Sequence, residues 1–285
     1  DYLTMKVSKI PNKDRVYSAF RNYFLTTYKK DETGTLLEEL LLFSKHYRTI
    51  IAANHHDARV SDSLSNLIRL DMSVTYPFLL EVFDDAAKGI LNDEDLARIL
   101  SILEGYILRR FMCDVPTNAL NKIFMTLARD IKKVSGYEDH YVDILTHMLL
   151  SKKSSQRLPR DDEFRDKLRE KDIYNLKAKN KVFFLERLEN YKNRERVDVE
   201  QMLEEGSLSI EHVMPQTLSP AWKKYLGDEA EPIHERFLHT LGNITLTAYN
   251  SELSNKMYRE KLAQEDGLLA SRLYLNGFFK NYPDW

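Results

Sequence analysis

Ile210-Glu211-His212-Val213-Met214-Pro215-Gln216 is the stretch on which the reading of this chain turns. Just before it, Ser207, Leu208, Ser209 and Ile210 alternate polar and apolar, the pattern of a half-buried strand. Pro215 has no amide proton and cannot extend a central strand, so the chain turns directly after His212 and Val213. An acid and a histidine therefore lie side by side at a strand end. Adjacent strand residues point to opposite faces, so the two reach one site only if a bend or bulge turns one of them.

A second β-type run follows at Leu241-Gly242-Asn243-Ile244-Thr245-Leu246. A short amide such as Asn243 pins a loop by hydrogen bonds, and Gly242 before it permits an unusual backbone dihedral. Asn250-Ser251-Glu252-Leu253-Ser254 reads as a helix entry, with Leu253, Met257 and Leu262 inward and Asn255, Lys256, Arg259 and Lys261 outward or towards the site. Strand, strand and helix around an acid, a histidine and an asparagine suit one-cation phosphodiester hydrolysis. Oxygen ligands hold a hard divalent cation such as magnesium, which stabilises charge on phosphate and leaving oxygen. A neutral histidine within reach of water removes its proton. The intervening residues 213–242, with Trp222, Lys223 and Lys224, are expected to pack as their own small helix.

Outside this region the chain reads as helix. At 285 residues two domains are the natural expectation. Only 9 glycines and 8 prolines, amid many Leu, Glu, Lys and Arg, favour a mainly α chain. Apolar spacing predicts helices over 14–29, 36–51, 61–71, 76–88, 93–111, 116–134 and 138–150, with Ser61, Asn92 and Thr117 as caps. No fixed-period repeat is visible, so the array is not a recognisable solenoid. The polar, basic, proline-ended segment Ser151 to Pro159 is the best boundary, dividing a helical scaffold at 1–150 from a second domain at 151–285. Two helices follow at 161–171 and 176–193. An amphipathic helix near 267–280 ends the chain, closing on Tyr282, Pro283 and Trp285.

The single cysteine, Cys113, excludes an internal disulfide framework and a cysteine-based zinc site, and its apolar surround reads as that of a buried inert thiol. The longest apolar runs are too short to span a bilayer and the N-terminus lacks a signal-peptide layout, which points to no membrane partner and a cytoplasmic location. A net charge of −2 counts against strong autonomous nucleic-acid affinity, although a local basic face survives within such a total. The chain begins with Asp rather than Met, as expected of a fragment of a longer protein.

The pattern I-E-H-V-M-P-Q … L-G-N-I-T-L … N-S-x-L-S-N-x-x-x-x-x-K resembles the HNH-type (ββα-metal) nuclease domain at the C-terminus of GmrSD-type modification-dependent restriction enzymes. The upstream helices, including Tyr106-Ile107-Leu108-Arg109-Arg110 and Thr117 to Phe124, are similar to the region that joins that domain to an N-terminal ParB-like NTPase domain. The resemblance implies a helical array followed by a helical domain carrying a small ββα-metal motif. It implies divalent-metal-dependent cleavage of DNA, typically modified phage DNA, by a restriction system with Mg2+ or Mn2+ as cofactor. The ParB-like NTPase domain would lie elsewhere in the full-length protein or in a partner chain. Position by position, His212 corresponds to the general base, Glu211 to a metal ligand where many HNH enzymes have Asp, and Asn243 to a brace between the strands. Asn250 or Asn255 corresponds to the remaining metal ligand, and Lys261 and Lys256 to contacts with the scissile phosphate or product.

Blander expectations stand beside these. His55-His56-Asp57 has metal-ligating residue types but reads more simply as a surface turn, and His239, which flanks the motif and could line its cleft, reads more simply as a helix-face residue. Arg109 and Arg110 either touch phosphate or pair with Glu104 or Asp114. The mixed-charge stretch from Lys152 to Arg169 reads as a solvated linker, and the aromatics from Tyr17 to Phe24, with Phe183 and Phe184, as core. Two other functions remain open: a catalytically inactive helical interaction module of a defence complex, and a nuclease acting on RNA.

Overall fold

The computed structural model describes residues 1–29, 31–193 and 195–284. It is mainly helical and divides into two compact units, Asp1–Arg160 and Asp161–Trp285. No described helix is long and apolar enough to cross a membrane.

The first unit comprises α1 (Tyr2–Val7), α2 (Val16–Thr27), α3 (Thr33–Ala52), α4 (Ala58–Arg69), α5 (Tyr76–Ala87), α6 (Asp93–Met112), α7 (Asn118–Phe124), α8 (Leu127–Lys132) and α9 (Tyr137–Leu150). Helix α5 lies at its centre, burying Phe78, Leu79 and Val82 completely. Each such side chain stabilises the fold by about 1.5–3 kcal/mol. Helix α6 begins with a reciprocal cap: Asn92 Oδ1 accepts from the Asp95 amide at 3.0 Å and Asp95 Oδ2 from the Asn92 amide at 3.2 Å. Helix α4 starts three residues earlier than its apolar pattern indicates, because Asp57, not Ser61, caps it through the Arg59 amide at 2.8 Å. The run 116–134 is two helices rather than one, broken at Met125 and Thr126. Helix α2 contains no buried residue, and Tyr17 is 78% exposed, so its aromatics are not core; Phe183 and Phe184 are buried. Cys113 is a buried free thiol.

The segment Ser151 to Pro159 is folded onto the first unit. Arg110, only 1% exposed, donates to the carbonyls of Arg157 (2.9 Å), Pro116 (2.8 Å) and Ser155 (2.8 Å). The Tyr106 hydroxyl donates to the Gln156 carbonyl, and Arg109 to that of Pro159 at 3.3 Å. Arg110 thus holds backbone oxygens, rather than phosphate or the acids beside it in sequence.

The second unit comprises α10 (Asp161–Glu170), α11 (Ala178–Glu189), α12 (Val199–Glu204), β1 (Ser209–His212), α13 (Pro220–Leu226), α14 (Ala230–Phe237), β2 (Ile244–Thr247), α15 (Asn250–Leu253) and α16 (Tyr258–Ala263). Strands β1 and β2 pair antiparallel, with Glu211 opposite Thr245 and His212 opposite Ile244. The insert between them forms α13 and α14, anchored by fully buried Trp222, whose indole N–H donates to the Lys256 carbonyl at 3.0 Å. Trp222 packs with Val213, Met214, Leu253, Tyr258, Leu262 and Phe279 into one core.

The expected amphipathic helix at 267–280 is absent; turns lead instead to a 3-10 helix at Leu275–Asn281. After α16 the chain folds back on itself, with the Leu268 amide donating to the Lys261 carbonyl at 2.8 Å. A side chain at Gly267 would sit 2.7–2.8 Å from the carbonyl oxygens of Lys261, Gln264 and Leu262, so the reversal needs glycine. The Glu189 carboxylate, fully buried, then receives the amides of Tyr274 (2.7 Å) and Leu275 (3.0 Å) and fixes the last segment. Trp285 lies outside the described residues.

Candidate functional site

Strand β1 is regular through Glu211 and His212, so alternation gives their side chains different surroundings. No bulge brings them together. The Glu211 carboxylate, 4% exposed, forms an ion pair with the Lys261 ammonium of α16, which is fully enclosed. Lys261 Nζ also donates to the His212 carbonyl at 2.8 Å. Burial raises the Glu211 carboxyl and lowers the Lys261 ammonium, while each partner's charge opposes the other's shift. Fifty residues apart in sequence, these two groups tie the end of β1 to α16.

The His212 ring enters a different cluster. Its Nε2 lies 3.2 Å from His239 Nδ1, and Tyr174 packs edge-on against it with ring centroids 4.4 Å apart. Tyr174 stacks on His239 at 5.2 Å and 10°. The strand-like bridge Asp172–Thr240 and the Ile173 amide, donating to the His239 carbonyl at 2.9 Å, deliver Tyr174 to this position. Lys181 lies over the Tyr174 ring at 4.3 Å and donates to the Tyr174 carbonyl at 2.7 Å. His212 is 4% exposed, whereas His239 and Tyr174 are half-buried and form the outer side of the cluster. Burial, followed by the electrostatic influence of His239, Lys261, Lys181 and His234, pushes the His212 imidazole down to about 4. The ring is therefore neutral at neutral pH.

Asn243, 1% exposed, closes the loop behind these residues. Its Oδ1 accepts from the Met214 amide at 2.6 Å, and its Nδ2 donates to the carbonyls of Met214 and Leu238, both at 2.9 Å. The Val213 amide donates to the Asn243 carbonyl at 2.9 Å. His234 Nε2 sits 3.0 Å from the Pro215 carbonyl and holds the same turn from α14.

The other expected site residues are placed as follows. Asn250, the first residue of α15, directs its amide to the Ile210 carbonyl at 3.4 Å. Asn255 is exposed on the turn between α15 and α16. Lys256 donates to Gln264 at 2.7 Å on the surface. Lys261 is fully enclosed and held by Glu211 and the His212 carbonyl, not presented on the surface. Among the described residues, no trio of His, Cys, Asp or Glu near β1 gathers its ligand atoms within 4.8 Å; His55, His56 and Asp93 in the first unit do. His239 is not on a helix face: it follows α14 and meets His212. Its place four residues before Asn243 was the only sequence signal for it, and Tyr174 and Lys181 had none.

The second unit is thus a small helical domain organised on an antiparallel strand pair. One strand end carries a neutral, buried histidine shielded by a half-exposed His-Tyr pair. Residues 158–285 match the family described as GmrSD restriction endonucleases, C-terminal domain. No curated protein and no solved structure matches the chain.

Proposed function

We propose that residues 158–285 hydrolyse phosphodiester bonds of DNA, with His212 as the general base, in a restriction system that acts on modified foreign DNA. The observation that carries this reading is the neutral His212 ring at the end of β1, positioned by Tyr174 and His239 within a domain of a restriction-endonuclease family. Recognition of the modification is assigned to a ParB-like NTPase domain in the full-length protein or a partner chain.

The neutral ring takes a proton from water. The imidazolium so formed is buried and faces His239, Lys261, Lys181 and His234, all unfavourable to it, and an incoming phosphate supplies the compensating negative charge. Substrate binding thereby raises the basicity of His212 where it is needed. Asn243 keeps the Met214 turn, and with it the strand end, in register.

A divalent cation, Mg2+ or Mn2+, supplies stabilisation of charge on the phosphate and leaving oxygen in hydrolysis of this kind. The donors expected for it do not fit as they stand. The Glu211 carboxylate is closed by Lys261, the Asn250 amide faces Ile210, and Asn255 lies out on its turn. The closed Glu211–Lys261 pair favours a second reading, in which the domain is a helical interaction module without catalysis.

Plasmid nicking in Mg2+ or Mn2+ separates the two. His212→Ala is expected to reduce nicking by about 100-fold or more, with Trp222 fluorescence unchanged. Absence of nicking by the wild-type chain with either ion, or equal nicking by His212→Ala, supports the silent module. A parallel incubation with RNA distinguishes the nucleic acid attacked.

A further inference from the structure

A second group of chemically capable side chains lies in the first unit. His55 and His56, in the turn between α3 and α4, direct their Nε2 atoms at the carboxylate of Asp93, the first residue of α6. His56 Nε2 is 2.7 Å from Oδ2 and His55 Nε2 3.9 Å from Oδ1. The two imidazoles lie 4.1 Å apart between centroids, inclined by 35°. One ligand atom from each of the three residues lies within 4.8 Å of the others. This differs from a plain surface turn, because neighbouring side chains converge on one acceptor from a distant helix.

We propose that His55, His56 and Asp93 bind a transition-metal ion, zinc fitting best, which clips the α3–α4 turn to the start of α6. Two imidazole nitrogens and one carboxylate are a zinc-type donor set, whereas magnesium and calcium require mostly oxygen. Zinc bonds of 2.0–2.1 Å in tetrahedral geometry separate donors by about 3.3 Å. The present 2.7 and 3.9 Å fall either side of that value, so shifts below an ångström bring each histidine to that spacing from the carboxylate.

Both sides of the clip are held independently of any ion. The His55 amide donates to Ser61 Oγ at 2.9 Å, and Ser61 Oγ donates to the His55 carbonyl at 3.0 Å. Asp93 follows Asn92, whose reciprocal bonds with Asp95 fix the helix start. His55 Nδ1 accepts from the Asp57 amide at 3.2 Å, so loading moves a proton from Nε2 to Nδ1 and releases that contact. The contact is at the long end of the N–H hydrogen-bond range and is the weak one to lose. The His56 side chain is 75% exposed, leaving the fourth position to water. The ion would join residues 37 apart in sequence, the kind of loop closure a metal stabilises well.

The test is zinc titration of the full chain by calorimetry, comparing wild type with His56→Ala and Asp93→Asn. His56 is exposed, and Asp93→Asn leaves the Asn92–Asp95 cap intact, so both variants should fold, as circular dichroism will check. Wild type is expected to bind one more equivalent of zinc than either variant, and zinc to raise the melting temperature of wild type alone. Cobalt(II) is expected to give a visible absorption band, with affinity about tenfold or more weaker in each variant. Equal stoichiometry and affinity in all three proteins overturns the proposal, whether all bind or none does. Loss in only one variant overturns the three-ligand set. Any zinc held by His212 and His239 is common to all three proteins and cancels in the comparison.

Discussion

Replacing Lys261 with methionine tests the bond that holds β1 to α16. The substitution keeps an unbranched apolar stem but leaves the Glu211 carboxylate, 4% exposed, without its counter-charge and the His212 carbonyl without its donor. Removing one member of a buried ion pair costs about 3–5 kcal/mol, since the remaining charge is still buried. With an m-value of about 2 kcal/mol per molar urea, a loss of 4 kcal/mol lowers the urea midpoint by about 2 M. Trp222, fully buried in the core of the same unit, reports the transition by fluorescence, and Trp285→Phe makes it the sole indole. Glu211→Gln with Lys261→Met removes both charges, and the double variant should recover about 2 kcal/mol relative to the sum of the singles. The loss in Lys261→Met should also shrink towards about pH 4, because a protonated Glu211 needs no counter-charge. Stability of Lys261→Met within about 0.5 kcal/mol of wild type, or simple additivity in the double variant, would refute this account of the strand end.

Two further outcomes follow from the same site. His212 is lowered to about 4 in the folded chain against an ordinary value near 6.5, so the unfolded chain binds the proton more readily between those pH values. Its stabilisation is complete above about pH 6.5 and is lost as pH falls towards 4, by up to about 3 kcal/mol. Urea midpoints measured across this window should fall more steeply for wild type than for His212→Gln, and parallel slopes would count against the buried neutral ring. Asn243→Ala strands the Met214 amide and the carbonyls of Met214 and Leu238, and a loss of about 2–5 kcal/mol is expected in urea melts followed by Trp222 fluorescence. A loss below about 1 kcal/mol would show that water replaces the amide there.

Much of the fold was legible because its signals are local. Asn92 and Asp95 announce the start of α6 through a cap that needs only four consecutive residues. Alternation before Pro215 marks β1, and Gly242-Asn243 marks the entry to β2, since a proline and a short amide act on their own backbone. Other features were misread where the outcome depends on what packs from elsewhere. The aromatics of α2 have the spacing of a buried face, yet Tyr17 is exposed and Phe20, Tyr23 and Phe24 are only half-buried, with Tyr23 against Tyr2 and Tyr28 and Phe24 against Tyr28. Arg110 looked like a partner for nearby acids, but the carbonyls of residues 155–157 reach it first. His239 follows the helical phase of α14, but the helix ends at Phe237, two residues short of it.

The site shows the same division. Sequence alone determined that an acid and a histidine end one strand, that an asparagine opens the next, and that a lysine-bearing helix follows. Those are statements about neighbours along the chain, governed by dihedral preference and period. Only the tertiary structure decided that Glu211 closes on Lys261 while His212 turns to His239 and Tyr174. Pairing across fifty residues, and the choice between two faces of one strand, are set by which buried charges must be compensated and which rings fill the remaining space. Local sequence holds no record of either.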